Sequence, residues 1–363
     1  MAENRIYLAL GEEASRGVKE ASTVGYMPLL APSIPKMEFD EKKRAEFRGE
    51  ESVKGQSSFM RMGQRWSASI EMPFFTESGS AKGLAGTLLK HFFGTAVSSQ
   101  NGTTGQYRHM VYPAANPFSA SNLGDRGLTL NLNINEGAVM RNWPFVGGRV
   151  KSLSFDQEAG SPLKIKADLF GQKRDAVTAE LGNPVFAQES LRCDYNNLKL
   201  YTGAITRVGT GPGYTDFSFG SATLIKPDKV SLKIDNGMED VLRLSGLDYP
   251  DKTRMGQFKA TMEITIDWED PASGFSSVSE LNGWISAGGT KSFFLHWDTG
   301  TQAGSGENHG LYIDLPVMQR MGGGPEYKLE KDPMITLKYE GLFDGETTGY
   351  LAGILLKNTA ATV

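Results

Sequence analysis

The chain of 363 residues is 39% hydrophobic and 22% charged, with a formal net charge of -4 and a pI near 5.7. Its length is sufficient for two domains of ordinary size, and its composition is that of a folded soluble protein. The acidic pI argues against a high-affinity nucleic-acid-binding protein, which normally carries a basic stripe.

The single cysteine, Cys193, excludes an internal disulfide bond and weakly favours a cytosolic folding compartment. The N-terminal sequence MAENRIYLALGEEASRG lacks the basic and apolar segments of a signal peptide, so we expect none. The chain contains no run of about 18 apolar residues, and we therefore predict no membrane-spanning segment.

Residues 1–35 show little periodicity, but their apolar side chains favour an N-terminal arm that packs over a solvated tail. Residues 36–49 predict a strand, a charged turn and a second strand, and a polar loop follows over residues 50–64. The next strand alternates apolar and polar side chains: Trp66, Ala68, Ile70 and Met72 against Arg65, Ser67, Ser69 and Glu71. Because side chains of a strand point to opposite faces in turn, this pattern predicts one packed face and one polar face.

A helix is predicted after this strand. Ser80 is its N-cap, Leu84, Leu88 and Phe92 form its apolar stripe, and Gly94 ends it. The same strand-helix unit recurs over residues 257–288. Its strand alternates Phe258, Ala260, Met262, Ile264 and Ile266 with Lys259, Thr261, Glu263, Thr265 and Asp267. Its helix is predicted by a capping box of Ser277 with Glu280 and by the stripe Val278, Leu281 and Ile285.

Other segments suggest the same order of elements in both halves. Residues 95–127 are rich in predicted loops, residues 128–134 alternate again, and residues 150–155 and 163–170 predict a hairpin. In the second half, Asn236-Gly237 predicts a tight hairpin between residues 223–235 and 238–246.

These parallels predict an internal duplication, in which Trp66 aligns with Phe258 and Glu71 with Glu263 at an offset of 192 residues (258 − 66). The alternative is that two β-rich domains look alike by patterning alone. The predicted fold is mainly β, with two tandem β-sandwich or barrel domains and one helix in each. The predicted boundaries are an N-terminal arm over 1–35, a first β domain over 36–171, a linker and start of the second domain over 172–222, and a second β domain over 223–363.

A search for chemistry finds no catalytic, cofactor-binding or metal-binding motif. The four histidines and Cys193 lack the spacings of metal ligands, and no GxSxG or GxxxxGK[ST] sequence is present. Glu71 and Glu263 fit solvated strand faces better than an acid/base pair, and a calcium site at residues 267–270 lacks the usual loop pattern. We therefore predict no catalytic residues, no cofactor, no metal and no enzymatic activity.

The chain resembles the tail tube (major tail) proteins of long-tailed bacteriophages. The resemblance is carried by LALGEEASRG, by the hairpin with its polar loop over residues 47–63, by RWSASIEM…GTLLKHFFG and by GGRVKSLSFDQEAGSPLKIKADLFG. It implies β-sandwich or small-barrel tube domains, six of which form a ring whose inner sheets join around a lumen. Stacked rings would form the virion tail tube that DNA crosses at ejection, with the protein made in the host bacterial cytoplasm.

The resemblance implies that the main partner is the chain itself. Two tube domains per chain favour a homotrimer with pseudo-six-fold symmetry, and a hexamer is the runner-up. Other partners would be further tail proteins and, transiently, genomic DNA in the lumen, but no membrane. A polar, net acidic lumen is expected because it would repel phosphates. The residues expected to face the lumen are Ser67, Ser69, Glu71, Thr261, Glu263 and Thr265, and those expected in a ring-stacking loop are Glu51, Lys54, Phe59, Met60 and Met62.

Two alternatives remain open at this point. Another tail or baseplate component, such as a hub, a terminator or a contractile-injection tube, would share the tube domain. A carbohydrate-binding β-sandwich would instead present exposed aromatic side chains clustered on one face, which Trp143, Trp268, Trp284 and Trp297 could supply. Unlimited self-polymerisation would favour the tube, and a glycan-binding screen would test the sandwich.

Overall fold

Strands dominate the structure, a computed structural model that describes residues 6–20, 25–30, 34–43, 59–76, 84–102, 105–137, 139–182, 184–287, 289–304, 306–326 and 332–363. These residues form 24 strands and two α-helices, so the mainly β prediction is confirmed. None of the helices in this part of the chain is long and apolar enough to cross a bilayer.

The described residues of the first half form eleven strands and one helix. They are β1 (Ile6–Glu12), β2 (Gly25–Met27), β3 (Lys36–Lys43), β4 (Phe59–Pro73), α1 (Leu84–Phe93), β5 (Ala96–Asn101), β6 (Gln106–Val111), β7 (Leu128–Glu136), β8 (Val139–Glu158), β9 (Lys164–Gly171), β10 (Lys173–Arg174) and β11 (Thr178–Ala179).

In the part of the second half that the structure describes there are thirteen strands, one α-helix and two short 3-10 turns, Glu189–Leu191 and Tyr195–Asn197. The strands and the helix are β12 (Leu198–Thr202), β13 (Thr206–Val208), β14 (Asp216–Ser218), β15 (Thr223–Ile225), β16 (Lys229–Asp235), β17 (Glu239–Val241), β18 (Lys252–Arg254), β19 (Lys259–Asp267), α2 (Ser277–Ala287), β20 (Thr290–Gly304), β21 (Glu307–Gly322), β22 (Pro325–Glu326), β23 (Met334–Gly341) and β24 (Gly353–Asn358).

One long antiparallel sheet runs through both halves. In the first half its strands pair in the order β3–β4–β9–β8, and in the second half in the order β16–β19–β23–β21. The two parts are joined because β8 pairs with β16 over seven positions, from Ser152↔Asp235 to Glu158↔Lys229. In the order of the sheet, β8 is the last strand of the first half, and it lies beside β16, the first strand of the second half.

A second layer of strands packs behind this sheet and follows the same parallel. In the first half β2, β1 and β7 pair in that order, and β7 pairs with the N-terminal part of β8. This part of β8 also pairs with β10 and β11. In the second half β15, β12 and β20 pair in that order, and β20 pairs with the N-terminal part of β21. This part of β21 also pairs with β24. The hairpin β5–β6, which lies in residues predicted to be rich in loops, extends this layer at β24.

Equivalent positions of the two halves follow from these pairings. The pair Val150↔Leu169 corresponds to Arg320↔Tyr339 at an offset of 170 residues (320 − 150 and 339 − 169), and a register shift follows each pair on the same strand. Met72 on β4 pairs with Ile165 on β9, and Ile266 on β19 pairs with Ile335 on β23. Because Ile165 and Ile335 are equivalent at the offset of 170 (335 − 165), Met72 is equivalent to Ile266, at an offset of 194 (266 − 72). The predicted offset of 192 is therefore wrong by two residues, which leaves every side chain on its expected face because the strand period is two.

The predicted alternation of β4 and β19 is confirmed. The apolar side chains Trp66, Ala68, Ile70, Met72, Ala260, Met262, Ile264 and Ile266 are all buried. They belong to a hydrophobic cluster that includes residues of both halves and six residues of α1. Phe258 packs across the two halves, because its ring lies 5.7 Å from that of Phe92 and 6.1 Å from that of Phe93.

Two local predictions differ from the structure. Asn236-Gly237 does not form a tight hairpin: β16 pairs with β8 and β19, and the buried Asn236 amide donates to the carbonyls of Phe92 and Val150. Strand β7 does not have a solvated polar face, because Thr129, Asn131 and Asn133 are also buried. Strands and loops that arrive from distant parts of the chain cover both sites.

The helices were predicted in the correct places, with errors at one end and on one face. In α1 the stripe of Leu84, Leu88 and Phe92 is buried, whereas the predicted N-cap Ser80 lies outside the described residues. At the start of α2 the Ser276 hydroxyl, not that of Ser277, accepts a hydrogen bond from the backbone N–H three residues later. Ile285, predicted in the apolar stripe, is 69% exposed.

Candidate functional site

The polar face of the long sheet is the candidate functional site. Residues directly opposite one another in paired antiparallel strands share a face, so the pairings define rows across the sheet. Row one consists of Glu71, Lys166, Ser154, Lys233, Thr261 and Glu340. Row two consists of Pro73, Lys164, Asp156, Ser231, Glu263 and Lys338. Both rows cross from the first half into the second.

All six residues predicted to face a lumen lie on this one face. Ser67, Ser69 and Glu71 alternate along β4, and Thr261, Glu263 and Thr265 alternate along β19. Each is exposed or half-buried, while the residues between them are buried. The sequence pattern therefore identified a real common surface, and whether it lines a channel stays a prediction.

Charges are balanced within these two rows of the polar face. Row one carries two carboxylates and two lysines, and so does row two. Opposite charges meet across strands, for example at Lys338 and Glu263, whose Nζ and Oε1 atoms are 2.9 Å apart. Neighbouring charges therefore neutralise each other in these two rows, whereas the adjacent row of Ser69, Asp168, Ser152, Asp235 and Lys259 carries two carboxylates and one lysine. A net acidic lumen stays a prediction.

The face is concave where β3, β4, β8, β9 and β16 meet, and it forms an open groove of about 750 Å³. Asp168 lies in this groove and accepts hydrogen bonds from the hydroxyls of Ser69 and Ser152, at 2.7 and 2.6 Å. Burial alone would raise the pKa of Asp168, but the two hydrogen bonds and the neighbouring lysines together lower it by more than burial raises it. The pKa of Asp168 is therefore below its ordinary value. Asp168 thus keeps its negative charge at neutral pH.

The sheet ends in two edges that have no further strand in the described part of the chain. At one end β3 pairs with β4 alone, and at the other residues 320–326 of β21 and β22 pair with β23 alone. Unpaired backbone N–H and C=O groups along such edges are able to bind another strand. The polar face is thus open at both sides.

The predicted ring-stacking residues fall partly outside the structure's coverage. Glu51 and Lys54 lie outside the described residues. Phe59, Met60 and Met62 lie at the start of β4, where the backbone pairs with β3, so they belong to a strand and not to the predicted loop. Their role in stacking stays a prediction.

A buried ion pair that the sequence did not reveal joins the two halves, and a buried carboxylate near it ties the N-terminal segment to the first half. Arg16 donates to both carboxylate oxygens of Asp240 at 2.7 and 2.9 Å, and both side chains are less than a tenth exposed. Glu13 accepts hydrogen bonds from the backbone N–H groups of Gly17 and Gly147 and from the Thr129 hydroxyl. These residues lie within the predicted N-terminal arm, whose strand β1 is almost wholly buried. No local pattern marks them, because Asp240, Thr129 and Gly147 are more than a hundred residues away from Arg16 or Glu13 along the chain.

A second buried network braces the outer layer. Asp314 accepts two hydrogen bonds from Arg207, at 2.7 and 2.9 Å, and one from the Tyr350 hydroxyl at 2.6 Å. Burial raises the pKa of Asp314, and the contact with Arg207 opposes this rise. The network acts as a structural tie between β13, β21 and the segment before β24.

No group of three or more potential ligands that could hold a metal ion occurs in the described residues. At the segment considered for calcium, Asp270 accepts a hydrogen bond from the Ser276 hydroxyl, so it serves the start of α2. The surface features that remain are the polar face and its two edges.

Comparison with known proteins identifies the family. The family described as phage tail tube protein matches residues 3–341, which is nearly the whole chain. A comparison with curated proteins found no match. The match spans both strand-helix units and the junction between them. The chain therefore belongs to the phage tail tube protein family and is a structural component of the virion tail.

Proposed function

We propose that copies of this protein assemble into rings, that the rings stack into the tail tube, and that the polar face of the long sheet lines the channel through which DNA passes at ejection. The observation that carries the proposal is the pair of charge-balanced rows that cross both halves without interruption. Stacking would involve the loop that contains Glu51 and Lys54.

The physical requirements of a DNA channel agree with this face. DNA binds proteins mainly through its phosphates, and each phosphate neutralised by a free lysine or arginine adds affinity. On this face lysines have carboxylate neighbours, as at Lys338 and Glu263. A surface of this kind offers passing DNA few unneutralised cations, so it neither retains DNA nor repels it strongly.

The carbohydrate-binding alternative finds little support. Trp297 is 1% exposed and lies in the core. The guanidinium groups of Arg174 and Arg320 lie over the rings of Trp143 and Trp284, at 4.7 and 5.1 Å from the ring centroids. A sugar-binding platform needs open aromatic faces, and these tryptophans are already covered on one side.

The first test is electron microscopy of the purified and concentrated protein by negative stain. The proposal predicts stacked rings or tubes, and class averages would distinguish three-fold from six-fold organisation. Discrete single chains at every concentration would contradict self-assembly.

A second test asks which face lines the channel. Thr261 is exposed on the polar face, whereas Ser218 is exposed on β14, which packs through Phe217 against Phe294 on the far side of the second layer. Thr261→Cys and Ser218→Cys would each be labelled with biotin-maleimide in assembled tubes. The native Cys193 is fully buried and gives no background.

The expected result is that both variants take up the small reagent but only Ser218→Cys is captured by streptavidin, which is too large for the channel. After disassembly both variants should be captured equally. Equal capture in intact tubes would show that the polar face lies outside the channel.

A further inference from the structure

We infer that one contact between stacked rings distinguishes the two halves of the chain: the arm formed by residues 239–254 inserts its apolar tip into a groove beside the end of β19 on a copy in the next ring. This inference rests on the proposed assembly into stacked rings and specifies how one ring is oriented on the next. The partner is a second copy of this chain, because the chain itself carries both the apolar tip and an apolar groove that accepts it.

The arm ends in leucines that are exposed to solvent. Strands β17 and β18 form its stem, a two-stranded sheet separate from the long one. Near the tip Leu244 is fully exposed, and Leu242 and Leu247 are 41% and 43% exposed. Apolar side chains that lie together on a surface mark a site of contact with another molecule.

The arm is fixed to the body of the protein. At its base the carboxylate of Asp240 accepts two hydrogen bonds from Arg16. Nearer the tip, the backbone N–H and the side-chain amide of Gln64 donate to the carbonyl and the carboxylate of Asp248, at 2.7 and 2.9 Å. The leucines are therefore held in place before a partner binds, which lowers the entropic cost of binding.

An open groove of about 370 Å³ lies at the opposite end of β19. The arm connects the end of β16 to the start of β19, whereas the groove adjoins Ile266 near the end of β19. A tip at one end and a groove at the other form a heterologous contact, which repeats from copy to copy as an open stack. The apolar side chains that line the groove include Leu224, Ile225, Pro271 and Phe275.

The first half has a groove at the same place, but its own chain fills it. Tyr26 lines this groove at the position of Leu224, since β2 and β15 occupy the same place in the second layer. Only about 10 Å³ remains there, because Ala187 lies against the groove, and the ring of Phe186 is 6.3 Å from that of Tyr26. Of the two grooves, as far as the described residues show, the one in the second half is open, and the first shows that such a groove accepts an apolar segment of this chain.

Charges at the two surfaces complement each other. The rim of the groove carries Asp267 and Glu269 against Lys226. Arg243 lies between two leucines of the tip and pairs with Asp251, but half of its side chain is exposed. Docking places this guanidinium group beside the carboxylates of the rim while the leucines enter the groove.

A three-fold stacking register follows from this contact. A trimeric ring has two tube halves per chain but one arm of this kind and one open groove per chain. Rotating a ring by one half would place each arm over a filled groove. Stacked rings therefore superimpose in three-fold and not six-fold steps, although the long sheet itself is similar in both halves.

Cysteine pairs test the contact in assembled tubes. Leu244→Cys with Lys226→Cys joins the tip to the rim of the open groove. Leu244→Cys with Pro28→Cys is the matched control, because Pro28 follows β2 and lines the filled groove as Lys226 follows β15 and lines the open one. Both variants would be confirmed as tubes by electron microscopy, treated with a short bismaleimide and run on denaturing gels.

The expected result for the Lys226 pair is a ladder of linked chains that continues beyond three, because each chain is joined to one chain above and one below. The Pro28 pair should link several-fold less. Equal linking of the two pairs, no linking in intact tubes, or a ladder that ends at three would each overturn the inference and leave the proposed function standing. Failure of the unmodified protein to form rings or tubes would contradict the proposed function, and the inference with it.

A second variant tests the tip without a cross-link. Leu244→Lys changes a fully exposed side chain, so the unassembled chain should keep its thermal unfolding midpoint, whereas tube yield should fall several-fold. Val208→Lys changes an exposed apolar residue of β13 and is the control, which should leave the yield unchanged. Equal yields for both variants would place the tip outside the contact.

Discussion

Gly171→Ala tests how the first half accommodates its large buried indole. A Cβ at this position would lie 2.3 Å from Cε2 and 2.4 Å from Nε1 of Trp66. The ring has no room to retreat, because it is fully buried and its N–H donates to the carbonyl of Val146 at 2.8 Å. We therefore expect the alanine to destabilise the protein by about 1–3 kcal/mol through overpacking.

The second half supplies a matched control at the equivalent position, Gly341. There the added Cβ would lie 3.1 Å from the Cβ of Ala260 and 3.2 Å from Cδ2 of Leu351. This contact is tight but relieved by a small shift of a flexible leucine. Alanine also restricts the unfolded chain, a gain of about 0.4–1 kcal/mol, so we expect Gly341→Ala to be close to neutral.

The assay is thermal unfolding of the unassembled protein, followed by circular dichroism, for both variants and for Trp66→Phe alone and with Gly171→Ala. A smaller ring leaves room for the methyl group, so the loss caused by Gly171→Ala should shrink by about 0.5–3 kcal/mol in the Trp66→Phe background. Equal midpoints for the two glycine variants, or strict additivity of the double variant, would refute the packing argument.

Three further predictions concern buried polar groups and are read from the same unfolding midpoints. Burial lowers the pKa of His91 from 6.5 to about 4. The unfolded chain therefore takes up the proton at a higher pH than the folded one, and the free energy of unfolding decreases as the pH falls from 6.5 to 4. His91→Gln should remove about 3 kcal/mol of this loss, and unfolding midpoints that change with pH in parallel for both proteins would contradict the prediction. Asp240→Asn leaves Arg16 buried without its counter-charge and should cost about 3–5 kcal/mol, so a midpoint equal to wild type would exclude a structural pair. Tyr350→Phe removes the hydrogen bond to Asp314 and should cost about 1.5–3 kcal/mol, whereas an unchanged midpoint would mean that Arg207 alone satisfies the carboxylate.

The faces of β4 and β19 could be predicted because they depend on a local property. Side chains alternate with a period of two, and a buried face needs apolar residues at every second position. The alignment of the two units was two residues off because patterning specifies the face and not the register. Trp66 was matched with Phe258 as the most similar side chain, whereas the pairings with β9 and β23 place Trp66 at the position of Ala260.

The sequence by itself determined the mainly β class, the places of the two helices, the polar face and the resemblance to tail tube proteins, since each is written in short-range patterns. Only the tertiary structure decided that β8 joins β16, that Asn131 is buried although polar and that Ile285 is exposed although apolar. These outcomes depend on which element arrives from elsewhere in the chain to cover a given side, and no window of neighbouring residues contains that information. The balance of charge in the two rows of the polar face is of the same kind, because they gather residues from six strands, and a carboxylate and a lysine become neighbours only when their strands pair.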